Sequence, residues 1–133
     1  MIIKIKKHIV SKVLFIREGK ILILKRAQVP SLRSPWTWDL PGGHVEPGET
    51  PEEGAYREVM EEINITPDAL SKIHEESNAG KHTHFYVCES WEGDVVLSHE
   101  HKSYKWATPQ EMEEYKLRIG KMYYEVIMRA MKT

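Results

Sequence analysis

Three glutamates, Glu58, Glu61 and Glu62, stand within five residues of one another in Arg57-Glu58-Val59-Met60-Glu61-Glu62. On a helix, at about 100° per residue, they fall within roughly a third of the circumference. Carboxylates crowded on one flank repel each other and need a compensating partner. Divalent cations that prefer oxygen, Mg²⁺ or Mn²⁺, are the candidates; a solvated acidic face is the plain alternative. The residues upstream favour the ion. After Leu40-Pro41, the adjacent Gly42 and Gly43 allow close backbone approach, and a loop of that kind presents a carbonyl to the same cation.

These side chains need a helix to hold them, and the sequence specifies one. Thr50 is a good N-cap, Pro51 suits the first helical position, and Glu53 completes a capping box. Ala55, Val59 and Ile63 form an apolar stripe beside the acidic flank, ready to pack on a sheet. Asn64 follows the helix end, where a left-handed residue is needed, and Pro67 fits a helix that has stopped.

Around that helix, residues 8–17 and 20–26 are β-rich runs joined by Glu18-Gly19 and read as a hairpin. Residues 27–41 read as a long irregular connection carrying Pro30, Pro35, Pro41, Trp36 and Trp38, and a connection of that length is usually functional. Residues 72–77 and 82–90 read as strands joined by 78–81, and 94–97 as a short strand leading to 98–106. His82 and His84 share one strand face, but no third ligand is spaced to complete a metal site. Thr108-Pro109-Gln110-Glu111 is a second capping box, and 118–132 reads as an amphipathic helix with Ile119, Met122, Tyr123, Val126, Ile127 and Ala130 on one face. The order β-β-helix-β-β-β-helix-helix suits an α/β fold, an α/β/α sandwich around a mixed sheet, within a single domain over 1–133.

Gly43, five residues, Glu49, seven residues, then Arg57-Glu58-Val59-Met60-Glu61-Glu62-Ile63-Asn64-Ile65 resembles the Nudix box. Asn64 stands where that family usually has glycine, and Asn tolerates the left-handed conformation best after glycine. Trp38-Asp39-Leu40-Pro41-Gly42-Gly43 is similar to the lead-in of many members, with Trp38 packed under the loop. The resemblance implies a Mg²⁺-dependent hydrolase (Mn²⁺ as substitute) that splits a phosphoanhydride of a nucleoside diphosphate linked to another group. It implies metal binding by Glu58, Glu61, Glu62 and the Gly43 carbonyl, with Glu100 as a further acidic residue. Glu58 orients or deprotonates the attacking water, and Glu100 is the rival base. Glu49 and Arg57 brace the loop against the helix, while Trp36 and Arg33 are candidates for the substrate's base and phosphate. Nucleoside triphosphates, damaged ones included, are the default substrates, cleaved to monophosphate and pyrophosphate. ADP-ribose, nucleotide sugars and a non-catalytic nucleotide-sensing module are the alternatives.

The totals agree with a small-molecule enzyme. In 133 residues, 19 basic and 20 acidic side chains give a formal net charge of −1, which argues against a nucleic-acid polymer as partner. Cys88, the single cysteine, permits no internal disulfide and sits in a core-like apolar run. No signal-peptide pattern or membrane span is evident, so a cytoplasmic location is expected and the glycosylation sequon Asn64-Ile65-Thr66 reads as coincidence. The C-terminal helix is free to pack on its own domain or, in a homodimer, on a second copy.

Overall fold

The computed structural model describes residues 8–27 and 36–132. Its organising strand is β1 (His8–Arg17), whose interior is buried without interruption from Val10 to Phe15. A tight turn with both Glu18 (φ 53°) and Gly19 (φ 72°) left-handed returns the chain as β2 (Lys20–Arg26). Both positive φ angles match the twist of a two-residue hairpin turn. Strands β3 (Trp38–Asp39), β4 (Gly42–His44), β6 (Ser71–Asn78), β7 (Lys81–Cys88) and β9 (His101–Ala107) complete a seven-stranded sheet. Its path runs β3-β2-β1-β7-β6, with β4 added to β1 and β9 to β2. The β1–β7 pair is parallel and the other pairs are antiparallel, so the sheet is mixed.

Successive strand residues point to opposite faces, and here both faces are covered, which explains the continuous apolar runs. On one face Val13, Phe15, Leu22 and Leu24 pack on Ala55, Val59 and Ile63 of α1 (Pro51–Ile63). On the other, Leu14, Ile21 and Ile23 pack on Ile119, Val126 and Ile127. The result is the expected α/β/α sandwich.

Helix α1 begins and ends where its caps predict. The Thr50 hydroxyl accepts from the Glu53 amide at 3.1 Å, and the Glu53 carboxylate accepts from the Thr50 amide at 2.8 Å. Asn64 closes the helix at φ 61°. Cys88 is buried among the residues packed under α1, and burial pushes its thiol up.

Four local expectations change. The connection 27–41 contains β3, and Gly42–His44 is a strand rather than a loop, because β1 offers it an open edge along Val10–Lys12. Residues 94–97 form no strand. They lie across the end of α1, where the Val96 and Ser98 amides donate to the Ile63 and Glu62 carbonyls, each at 3.0 Å. Those carbonyls have no partner within the helix, so the segment acts as a cap. The strand in this region is β8 (Trp91–Glu92), paired with β5 (Thr66–Pro67). A short helix α2 (Pro109–Met112) follows the second capping box. The predicted helix 118–132 is broken at Gly120 (φ 96°) into α3 (Lys116–Ile119) and α4 (Lys121–Met131). A side chain at Gly120 would also press on the Trp36 ring at 3.1 Å. Among the described residues, no helix is long and apolar enough to cross a membrane.

Candidate active site

Two glycines let strand β4 slide between β1 and the acidic flank of α1. A β-carbon at Gly42 (φ 126°) would lie 2.1 Å from the Ser11 carbonyl oxygen, and one at Gly43 would lie 2.6 Å from the Glu58 carboxylate. At Gly42 the β1 backbone leaves no room for a side chain, and at Gly43 the bare backbone lets the Glu58 carboxylate approach directly. The Gly42 amide donates to Glu62 Oε1 at 3.0 Å. Ser11 fastens the other end of the helix, its hydroxyl donating to the Pro51 carbonyl at 2.6 Å.

The three glutamates occupy three environments. Glu62 is 7% exposed, and burial pushes its carboxyl up to about 8 despite the nearby Lys12 charge and the Gly42 hydrogen bond. Glu58 is half-buried, between Gly43 and Nη1 of Arg57 at 3.1 Å. Glu61 is exposed and bonded to the same Nη1 at 3.2 Å. Their carboxylates do not converge on one point. Among the described residues, the convergent group of metal-ligating type is Glu75, His82 and His84. The third ligand absent from the local spacing of the histidines is supplied by the neighbouring strand.

Arg57 holds the outer flank together. Nη2 donates to Glu49 Oε1 at 2.8 Å and to the His44 carbonyl at 2.9 Å, and Nε donates to Glu49 Oε2 at 3.1 Å. Glu49 also accepts from the Glu46 amide at 2.8 Å, and the Arg57 hydrogen bonds, foremost, hold its carboxyl below the usual range. This two-pronged pairing ties the start of the segment to the middle of the helix.

Beneath the glycines lies Lys12, a 6% exposed ammonium inside an apolar strand. Its Nζ donates to the carbonyls of Leu40 at 3.1 Å and Gly42 at 3.3 Å, and pairs with Asp39 at 3.2 Å. Burial alone would lower its pKa; Asp39 and the other negative groups around it win and hold it raised. His101 faces Glu62 at 4.0 Å with its Nδ1 unpaired, and burial lowers its pKa, keeping the ring neutral. Sequence reasoning missed Lys12, Asp39 and His101. For Lys12 the signal was present: a charged residue interrupting Ile9-Val10-Ser11 and Val13-Leu14-Phe15.

A cavity of about 750 Å³ opens beside these groups. Gly43, Glu58, Glu62 and Glu100 line its polar side, and Trp36 and Tyr123 its aromatic side; Glu61 is outside the lining. Trp36 is 43% exposed, as a stacking surface must be. Trp38 packs edge-on against Tyr115, with ring centres 4.9 Å apart. Arg33 lies outside the described residues.

Known proteins share the sequence pattern and the fold of this chain. A profile described as the NUDIX domain matches residues 6–127. A MutT-like protein of Streptomyces ambofaciens is 33% identical over 80% of this chain, which spans 64% of that relative's length. The CTP pyrophosphohydrolase of Escherichia coli is 30% identical, over 76% of each chain. Among solved structures, MutT from Aliivibrio salmonicida and Vibrio cholerae aligns with a TM-score of 0.78 over 95% of this chain and 97% of that one, at 20% identity.

Proposed function

The chain belongs to the Nudix hydrolase family, and we propose that it cleaves nucleoside triphosphates to the monophosphate and pyrophosphate with Mg²⁺ at the acidic flank of α1. The observation that carries this reading is Glu62, a buried carboxyl short of positive charge, beside Glu58 at the edge of a nucleotide-sized cavity. Relatives named for CTP and for nucleoside triphosphates support the substrate class; one of the latter is 31% identical over 77% of this chain.

The residues fit the ion. Glu58, Glu62 and the Gly43 carbonyl offer only oxygen, and Glu61 joins them by leaving Arg57. Magnesium suits such an open carboxylate set because it keeps waters and shares its shell with phosphates. When bound, it neutralises polyphosphate charge and lowers the pKa of a water. Manganese satisfies the same donors.

The chain's own groups then divide the work. Glu58, fixed by Arg57 and backed by Gly43, orients the attacking water in line with the scissile anhydride. Glu100, on the same cavity wall, accepts the water's proton. Trp36 stacks on the base. Glu49 and Arg57 keep the strand and helix in register. A sensing module without turnover could shed the box carboxylates, and this chain keeps all of them.

Phosphate and pyrophosphate release from a panel of nucleoside triphosphates, ADP-ribose, nucleotide sugars and dinucleoside polyphosphates tests the reading. Triphosphates are turned over with Mg²⁺ and not with a chelator. Glu58→Gln and Glu61→Gln each lower turnover by about a hundredfold or more, and Glu100→Gln lowers it by about tenfold or more at unchanged Mg²⁺ half-saturation. Turnover confined to ADP-ribose or sugars would replace the substrate class, and binding without turnover would leave a sensor.

A further inference from the structure

On the opposite face of the sheet from the cavity, the strands bring together a group that this reading does not use. Thr83 of β7 lines the cavity, so its neighbours His82 and His84 point to the α1 side. On β6, Glu75 stands directly across from His84, and Ser77 across from His82. The His82 and His84 rings meet edge-on with centres 4.8 Å apart. One ligand atom from each of Glu75, His82 and His84 lies within 4.8 Å of the others.

We propose that Glu75, His82 and His84 form a binding site for a zinc-class divalent cation, separate from the Mg²⁺ site. Three features of the group support it. First, the donor set is two imidazoles and one carboxylate. Imidazole selects zinc and its transition-metal neighbours over magnesium, and three protein ligands leave a fourth position open to water. Second, the spacing is right. With zinc–ligand bonds of about 2 Å, two ligand atoms on a tetrahedral ion stand roughly 3.3 Å apart. Glu75 Oε1 is 2.7 Å from His82 Nε2 and 3.6 Å from His84 Nδ1, which brackets that figure. Third, the nitrogens can serve as ligands: His84 Nδ1 is unpaired, and His82 Nε2, which donates to Glu75 Oε1 in the metal-free chain, has a second tautomer open to it. His84 Nδ1 is shielded from solvent, has no hydrogen-bond partner and lies 3.6 Å from Glu75 Oε1, so in the tautomer protonated at Nε2 it is free to ligate. His82 Nδ1 lies 2.5 Å from the Ser77 hydroxyl. A hydroxyl both donates and accepts, so when a cation replaces the Nε2 proton Ser77 can accept from Nδ1–H and leave the Nε2 lone pair for the metal.

Lys72 opposes the ion. Its ammonium is bonded to the other Glu75 oxygen, Oε2, and like charges repel. Removing this cationic side chain beside the site must therefore strengthen cation binding.

The test is a Zn²⁺ titration of the full chain in excess Mg²⁺, followed by calorimetry and by melting temperature, with Co²⁺ absorption as the geometric probe. The expected result is one equivalent bound and a visible Co²⁺ band of tetrahedral intensity. Affinity falls at least about tenfold in His82→Ala, His84→Ala and Glu75→Gln, and rises in Lys72→Ala. Glu75→Gln keeps side-chain shape, so it remains informative if either histidine variant fails to fold; metal-free melting curves identify such a failure. Zinc affinity unchanged in Glu75→Gln and weakened in Glu58→Gln would overturn the proposal, as would the absence of binding at micromolar Zn²⁺.

Discussion

Glu49 and Glu62 flank the same helix with the same side chain and opposite ionisation. Arg57, bonded to both Glu49 oxygens, holds that carboxyl below the ordinary range, whereas burial raises Glu62 to about 8. The difference lies in what each flank has for a cation. The outer one has a guanidinium that reaches Glu49, Glu58 and Glu61 together. The inner one has Lys12, whose ammonium is already bonded to Asp39 and two carbonyls. One flank is neutralised by the chain itself, and the other is left short of positive charge beside the cavity. That asymmetry separates Glu49, taken up by Arg57, from Glu62, while Glu58 and Glu61 lie between them and share the guanidinium.

Lys12→Ala breaks the comparison from beneath. It removes the donor to Leu40 and Gly42, leaves Asp39 without its buried partner and takes a nearby positive charge from Glu62. Loss of one partner from a buried ion pair costs about 3–5 kcal/mol, read from urea unfolding. A loss below about 1 kcal/mol would mean that solvent reaches these groups and that the inner flank is not isolated.

The pH dependence of stability sharpens it further. Without metal, folded Glu62 keeps its proton up to about pH 8, while in the unfolded chain it is lost near 4.5. The folded state binds more protons across that window, so Glu62 makes stability fall as pH rises from about 4.5 to about 8. The loss is on the order of a few kcal/mol. His101 has the opposite sign, since its lowered pKa makes stability rise with pH near the ordinary histidine range. Wild type minus Glu62→Gln isolates the carboxyl: the variant gains relative stability with pH, and Mg²⁺ closes the gap by binding the ionised wild-type site. A difference that is flat from pH 5 to 8 would place Glu62 in contact with solvent.

What could be read from the sequence was mostly local. Thr50 and Glu53, Asn64, and the Glu18-Gly19 turn act within four residues, and each appears as spacing predicted. What escaped depends on neighbours distant in the chain. Strand β4 exists because β1 lends it an edge 30 residues away, Gly42 lying opposite Lys12. The Glu75 that completes the His82–His84 group is opposite them only after β6 and β7 pair. Residues 94–97 looked like a strand because Val95, Val96 and Leu97 are apolar, but α1 needed donors for its last carbonyls and the segment supplies them. In the active site, the glutamates were legible by type, but their split into neutralised and unneutralised flanks was not. That split depends on Lys12 and Arg57 approaching from different sides.

Glu49→Ala gives the mildest test of the comparison and the most specific. Both Glu49 oxygens are taken by Arg57, so a direct contribution to the chemistry is not expected. Its removal frees Nε and one prong of Nη2 of Arg57, whose remaining acceptors are Glu58, Glu61 and the His44 carbonyl. The guanidinium then competes more strongly for Glu58 and Glu61, the two glutamates proposed above as metal ligands. Turnover should fall about tenfold, much of it recovered at high Mg²⁺, with a small drop in melting temperature. Recovery by Mg²⁺ is the diagnostic part, because a purely structural brace would lower stability and activity in a way that added metal does not repair. An unshifted melting temperature together with unchanged Mg²⁺ dependence would dissolve the distinction between the flanks, leaving the Glu49–Arg57 pair as an ordinary surface contact.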